Sequence, residues 1–175
     1  MRWSDDSRSR THEHGTYAQG LEHKYNYSIV GHSGETHNIV FVDEATLPKN
    51  RKDRLEVIRH MYSHANFCMS GDNTLPAAIS AIEDVRKQEG DDYYVFLLSD
   101  ANLASYGVTP KTLAKAMLAD QKVNSYAIFI AAELAAEQMK KQMPVGHAHT
   151  CLDTKDLPRI FKEIFAHSIL NEARL

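Results

Sequence analysis

Hydrophobic and polar positions change rhythm several times along this chain, and each change marks an element. Residues 1–24 sustain no apolar period and are dominated by Asp, Ser, Arg and His, so they read as a disordered or irregular leader. Tyr25 to Val30 and Asn38 to Val42 are short runs rich in Tyr, Ile and Val. Joined by Gly31-His32-Ser33-Gly34-Glu35-Thr36, they predict an antiparallel hairpin. Beyond Leu47-Pro48-Lys49-Asn50, the positions Leu55, Ile58, Met61, Tyr62 and Ala65 recur at helical spacing, away from Arg51, Lys52, Asp53 and Arg59. That pattern predicts an amphipathic helix covering the sheet.

A turn-rich stretch, Cys68-Met69-Ser70-Gly71-Asp72-Asn73-Thr74, leads into a second helix whose Leu75, Ala78, Ile79, Ile82 and Val85 share a face. Pro76 is tolerated there in the first turn, and Thr74 has the chemistry of an N-cap. Tyr93-Tyr94-Val95-Phe96-Leu97-Leu98 is apolar at every position, the pattern of a central parallel strand buried on both faces, and it stops at Ser99-Asp100. Thr109-Pro110 reads as N-cap and first residue of a helix bearing Leu113, Ala116 and Met117. Val123 to Ile130 reads as a strand, Ala131 to Met143 as a helix stopped by Pro144, and His149 to Leu152 as a short strand. A last amphipathic helix carries Leu157, Ile160, Phe161, Ile164, Phe165 and Ile169. Strands alternating with helices predict an α/β fold, a doubly wound and mostly parallel sheet with an antiparallel edge strand.

Composition narrows the picture. At 175 residues, 43% hydrophobic and 25% charged, the chain holds apolar material for one globular domain. A net charge of −3 with interspersed signs offers no basic stripe for nucleic acid and no polybasic face for a membrane, and no apolar run is long enough to span a bilayer. The two cysteines, Cys68 and Cys151, lie far apart and read as small buried hydrophobes in a reduced, intracellular setting rather than as a disulfide framework. The leader is rich in Arg and Ser, but Asp5, Asp6 and Glu13 argue against a transit peptide.

Candidate chemistry gathers at predicted carboxyl strand ends, where open α/β sheets bind ligands. These are the Gly31-His32-Ser33 turn, Asp100 and Asp153, joined by the loop Ser70 to Thr74. Carboxylate, hydroxyl and water are the ligands of a hard divalent cation, and Mg²⁺ is the natural choice because it keeps open, water-filled positions that a partner carboxylate could take. As alternatives to a ligand role, Asp100 could start a turn and Thr74 could cap a helix.

Phe67 to Leu75, Phe96 to Leu103 and Ile29-Val30-Gly31-His32-Ser33-Gly34 together resemble a von Willebrand factor A domain, of the kind that forms the carboxyl end of a large mitochondrial AAA+ ATPase. The resemblance runs from about Tyr25 to Leu170, leaving residues 25–175 as the domain. It implies a Rossmann-like fold, a mitochondrial location and a metal ion-dependent adhesion site. In such a site, Thr74 matches the Thr of the second loop and Asp100 the Asp after the fourth strand. The first element, Asp-x-Ser-x-Ser, is spelled by Asp5, Ser7 and Ser9, but only Met1 to Ser4 precede it, too few for the buried strand that should carry it. That match reads as coincidence in a polar leader, and the three residues stay secondary candidates. The domain is therefore expected to lack its first strand and first helix. Family strand order 3-2-1-4-5-6 puts the missing strand in mid-sheet, so strands two and four would have to close a gap. No phosphate-binding loop ending in Gly-Lys-Ser or Gly-Lys-Thr occurs, so the ATPase motor is absent from these residues and no nucleotide is expected.

Two other constellations carry duller readings. Gly31-His32-Ser33-Gly34-Glu35 imitates the nucleophile elbow of serine hydrolases, with Asp153 and His167 following in chain order. It fails at Glu35, and a strand rather than a helix follows. His60 with His64, and His147 with His149, have spacings that could hold zinc, yet neither pair has a Glu or Cys partner and both read first as solvated or hydrogen-bonding residues. The expectation is a non-enzymatic protein-interaction module that uses Mg²⁺ at Asp100 and Thr74 to engage an acidic partner group. The rival is a metal-independent structural docking domain, and a serine hydrolase through Ser33 is a remote third.

Overall fold

In the computed structural model, residues 25–68, 71–130 and 133–172 are described, apart from the side chains of 133–135 and 169–172. The leader, including Asp5, Ser7 and Ser9, lies outside the described residues. In chain order the elements are β1 (Ile29–Gly31), β2 (Ile39–Val42), α1 (Arg51–Phe67), α2 (Thr74–Val85), β3 (Tyr93–Ser99), α3 (Pro110–Met117), β4 (Val123–Phe129), α4 (Glu133–Gln142), β5 (Ala148–Thr150) and α5 (Leu157–Glu172). The alternation and the parallel pairing bear out the α/β reading.

β3, β4 and β5 form one parallel sheet in that order, with Tyr93 opposite Val123 and Ala127 opposite Ala148. Period-two alternation sends Ala127 and Phe129 of β4 to one face, where they join Ala78 of α2, Leu113 and Met117 of α3, and Ala136 and Met139 of α4. Tyr126 and Ile128 point to the other face, against Ile160, Phe161 and Ile164 of α5. Phe129, Ile128, Ala127 and Leu113 are all completely buried, so β4 is the true centre of the core. On β3, Phe96 meets Phe161 and Phe165 edge-on at 4.8 and 5.6 Å, contacts of about 0.5–1.5 kcal/mol each beyond area burial.

Five expectations need correction. β3 is the edge strand of its sheet, not the centre: Leu98 is 43% exposed, because among the described residues no strand pairs on that side. The hairpin does form, β1 pairing antiparallel with β2, but as a separate two-stranded sheet rather than an antiparallel edge on the parallel one. Nor do β1 and β3 pair with each other, since they belong to separate sheets. α1 does not cover the sheet. It leans on β2, with the His64 ring 5.7 Å from Phe41, while its stripe of Leu55, Ile58, Met61 and Tyr62 stays exposed and none of its residues is buried. Cys68 is exposed at the end of α1, whereas Cys151 is buried as expected.

The local start signals were read more accurately. Asn50 caps α1 by accepting from Asp53 N–H, and Thr109 with Thr112 forms a capping box ahead of Pro110. Among the described residues, no helix is long and apolar enough to cross a membrane.

Candidate functional site

The direction of α2 locates the rim. Ala78 packs in the cluster that holds Leu97, and Ile82 in the one that holds Val95, so α2 runs antiparallel to β3. The N-terminus of α2 therefore lies toward the carboxyl end of β3. Thr74 opens the helix and is 1% exposed. It is not the N-cap: that position is Asn73, and it is Asp72 that accepts from Thr74 N–H through Oδ1. The Thr74 hydroxyl is thus released from the capping role that its sequence position allowed.

Asp100 leaves the end of β3 in two successive side-chain turns. Ser99 Oγ accepts from Ala101 N–H at 3.2 Å, and Asp100 Oδ1 accepts from Asn102 N–H at 3.0 Å. Ala101, buried at 5% exposure, is held left-handed at φ 62°, a conformation that costs a non-glycine residue about 1 kcal/mol. Strain of this kind gathers where a neighbouring side chain has to be aimed. Here it turns the Asp100 carboxylate outward while Ala101 and Leu103 stay anchored in the cluster with Ala78 and Leu75.

The hairpin turn reaches the same rim. Asn73 Nδ2 donates to Ser33 O at 2.6 Å, and a Cβ on Gly71 would stand 2.6 Å from Gly34 Cα, so the two loops touch backbone to backbone. Ser33 is 6% exposed, its N–H donating to Thr36 O at 2.8 Å in a tight turn that leads straight back into β2. A strand where an elbow needs a helix removes the nucleophile reading of Ser33. His32 Nδ1 is buried without a partner beside it, a polar atom that a water or ligand could satisfy.

Asp153 plays a smaller part. Its Oδ1 accepts from Lys155 N–H at 2.9 Å, capping the short turn before α5, and Oδ2 lies 3.8 Å from Lys155 Nζ. His147, just before β5, and His149 on it do not form a zinc pair: His147 Nδ1 bonds Ser125 O at 2.9 Å, and both rings lie against Tyr126. Burial lowers the pKa of His149 below its ordinary value, and burial likewise pushes the Cys151 thiol up. A groove of about 770 Å³ between α2 and α3, floored by Leu75, Ile79 and Ala116, includes neither Asp100 nor Thr74.

The rim therefore offers one turned-out carboxylate and two buried hydroxyl residues. Among the described residues no group of three or more His, Cys, Asp or Glu side chains comes together. That donor set suits a hard cation that keeps most of its waters and does not suit zinc or a closed calcium cage. The loop contact through Asn73 and Ser33 spans forty residues of sequence and has no local signal, whereas the Asp72-x-Thr74 turn could have been read from its spacing.

A parallel sheet layered between helices is a Rossmann-like α/β arrangement, consistent with a von Willebrand factor A-type fold. In sequence the chain is similar to the mouse (Mus musculus) von Willebrand factor A domain-containing protein 8, at 41% identity over 154 residues. That alignment takes in 87% of this chain and 8% of the mouse protein, so the chain spans a small fraction of its relative's length. The likeness supports a von Willebrand factor A-type module. No family model matches the chain, and no solved structure matches it.

Proposed function

We propose that this chain is a von Willebrand factor A-type protein-interaction module that keeps a remnant of a Mg²⁺-dependent adhesion site. The observation that supports the reading is the left-handed turn at Ala101 directly after the exposed Asp100, at the end of β3 where α2 also begins. Asp100 and the Thr74 hydroxyl, directly or through water, would hold the ion, and an acidic group from a protein partner would complete its octahedron. The ion would supply charge for that carboxylate; the residues supply its position. Asp5, Ser7 and Ser9 would add to the site only if the leader reached this rim. By resemblance, the setting is the carboxyl end of a mitochondrial AAA+ ATPase, with the chain itself non-catalytic.

The test is thermal unfolding with and without millimolar Mg²⁺. A cation that binds only the native state at ten times its Kd stabilises it by about 1.4 kcal/mol. The parent chain should gain a higher Tm in Mg²⁺ and Asp100→Ala should not. A cooperative transition indifferent to Mg²⁺ would instead favour the metal-independent docking domain, for which the exposed stripe of α1 and the groove beside α2 are the supporting features.

A further inference from the structure

The groove between α2 and α3 has the spacing of a seat for a third helix. Leu75, Ile79, Ile82 and Arg86 line it from α2 at intervals of four, three and four residues. Thr112, Ala116 and Ala119 line it at intervals of four and three from α3 and the turn that follows. Alternation of four and three is the spacing at which one helix meets another knobs-into-holes. Ala116 and Ala119 are small enough to let a neighbour approach closely, and Ile79 on the facing wall is 45% exposed. Arg86 Nε lies 3.2 Å from Asp120 Oδ2, an ion pair that ties the two walls together at their C-terminal ends. From Leu75 to Arg86 the α2 wall rises about 17 Å, which a helix of about twelve residues matches.

The charges along the groove are one-sided. On the α2 wall they are met within the fold: Lys87 Nζ lies 2.7 Å from Asp84 Oδ1 and feels Glu83, while Arg86 is held by Asp120 and sits 4.7 Å from the Tyr93 ring centroid. On α3, Lys111 and Lys115 are exposed at i, i+4 spacing, and among the described residues no ion pair reaches either. Like charges at that spacing weaken a helix, and a cation in the first turn, as Lys111 is, also opposes the helix dipole. An acidic edge laid along α3 would neutralise both. A second copy of this chain does not supply one: the exposed Leu55, Ile58 and Met61 of α1 are bordered by Arg51, Arg54 and Arg59.

We propose that the groove between α2 and α3 binds an amphipathic helix of a protein partner, about twelve residues long, with apolar side chains at alternating three- and four-residue spacing and acidic side chains along the edge facing α3. This site lies on the face of the sheet opposite α5 and needs no metal.

The probe is a fluorescein-labelled synthetic helix with Leu at that spacing and Glu along one flank, titrated against the purified chain in EDTA. A second peptide carries Lys in place of Glu, and a third carries a central Pro that breaks the helix. The parent chain should bind the Glu peptide more than about tenfold more tightly than either of the others. Ile79→Gln, at an exposed position, should leave the thermal transition in place and weaken capture by a similar factor. Lys111→Glu together with Lys115→Glu should reverse the preference, so that the Lys peptide becomes the tighter ligand. Several results would overturn the proposal. They are no binding by the parent chain, equal binding of the Glu and Lys peptides, binding that survives the Pro, a preference that the double charge reversal leaves in place, and a dimer of this chain dispersed by Ile79→Gln in place of peptide capture.

Discussion

α1 and α2 look alike as sequence and behave oppositely as structure. Each has an apolar stripe at helical spacing, and each is placed beside a strand. α2 buries Thr74, Ala78 and Ile82 against β3, whereas α1 buries nothing and holds Ile58 at 60% and Tyr62 at 71% exposure. Part of the difference is in the helices, since α1 opens on Arg51-Lys52-Asp53-Arg54 whereas α2 is rich in Ala and Ile, and part lies outside them. α2 faces a sheet that continues through β4 to β5, whose far side α5 seals, while α1 faces a two-stranded hairpin, and two strands offer too little surface to bury a helix face. An apolar stripe is a request for a partner surface; the fold decides whether it is met.

Core truncation should separate the two halves most widely. Phe129→Ala empties a fully buried site between α2, α3 and α4 and should cost about 3–5 kcal/mol. Ile58→Ala on α1 should move stability by less than about 0.5 kcal/mol, because little area is lost and Ala is a better helix former. Urea unfolding of both variants checks this. Equal losses would mean that α1 is packed in solution and that the comparison between the halves fails.

Gly71 joins the halves and should give the next largest effect. Its φ of +143° suits glycine, and the approach to Gly34 leaves no room for a Cβ. Gly71→Ala should destabilise by about 1–3 kcal/mol. Hydrogen exchange would show where the loss falls. Faster exchange in β1 and β2 with β4 unchanged means that the loop contact holds the hairpin in place; equal loosening of β4 means that the two sheets unfold as one unit.

Much of the better-packed half was legible in the sequence. The helix start at Thr109, the stop before Pro144 and the buried positions Ile160 and Ile164 follow from capping chemistry and periodicity, which act over a few residues, as does the start of α1 at Asn50 in the other half. Asp100 at a strand's carboxyl end was legible for the same reason. Strand order was not: the run Tyr93 to Leu98 reads as a central strand, and its edge position depends on which strands pair beside it, which periodicity does not record. The tie from Asn73 to Ser33 depends on folding two distant loops together, and the left-handed Ala101 has no compositional sign at all.

The smallest effect sought is a pH dependence confined to the packed half. His149 lies on β5 with Nε2 buried and unpaired, its ring 6.2 Å from Tyr126, and burial holds its pKa below the ordinary value of 6.5. The unfolded chain therefore takes up the proton first as pH falls. The stability due to a neutral His149 is fully present above pH 6.5 and is lost as pH falls from there through its depressed folded value. His149→Gln keeps a polar side chain without the titration, so its unfolding midpoint should vary less between pH 7 and pH 5 than the parent's, by a margin smaller than the effect of Phe129→Ala or of Gly71→Ala. If the two profiles are parallel, His149 is hydrated in solution, and the packed half is open at β5 as well as at β3.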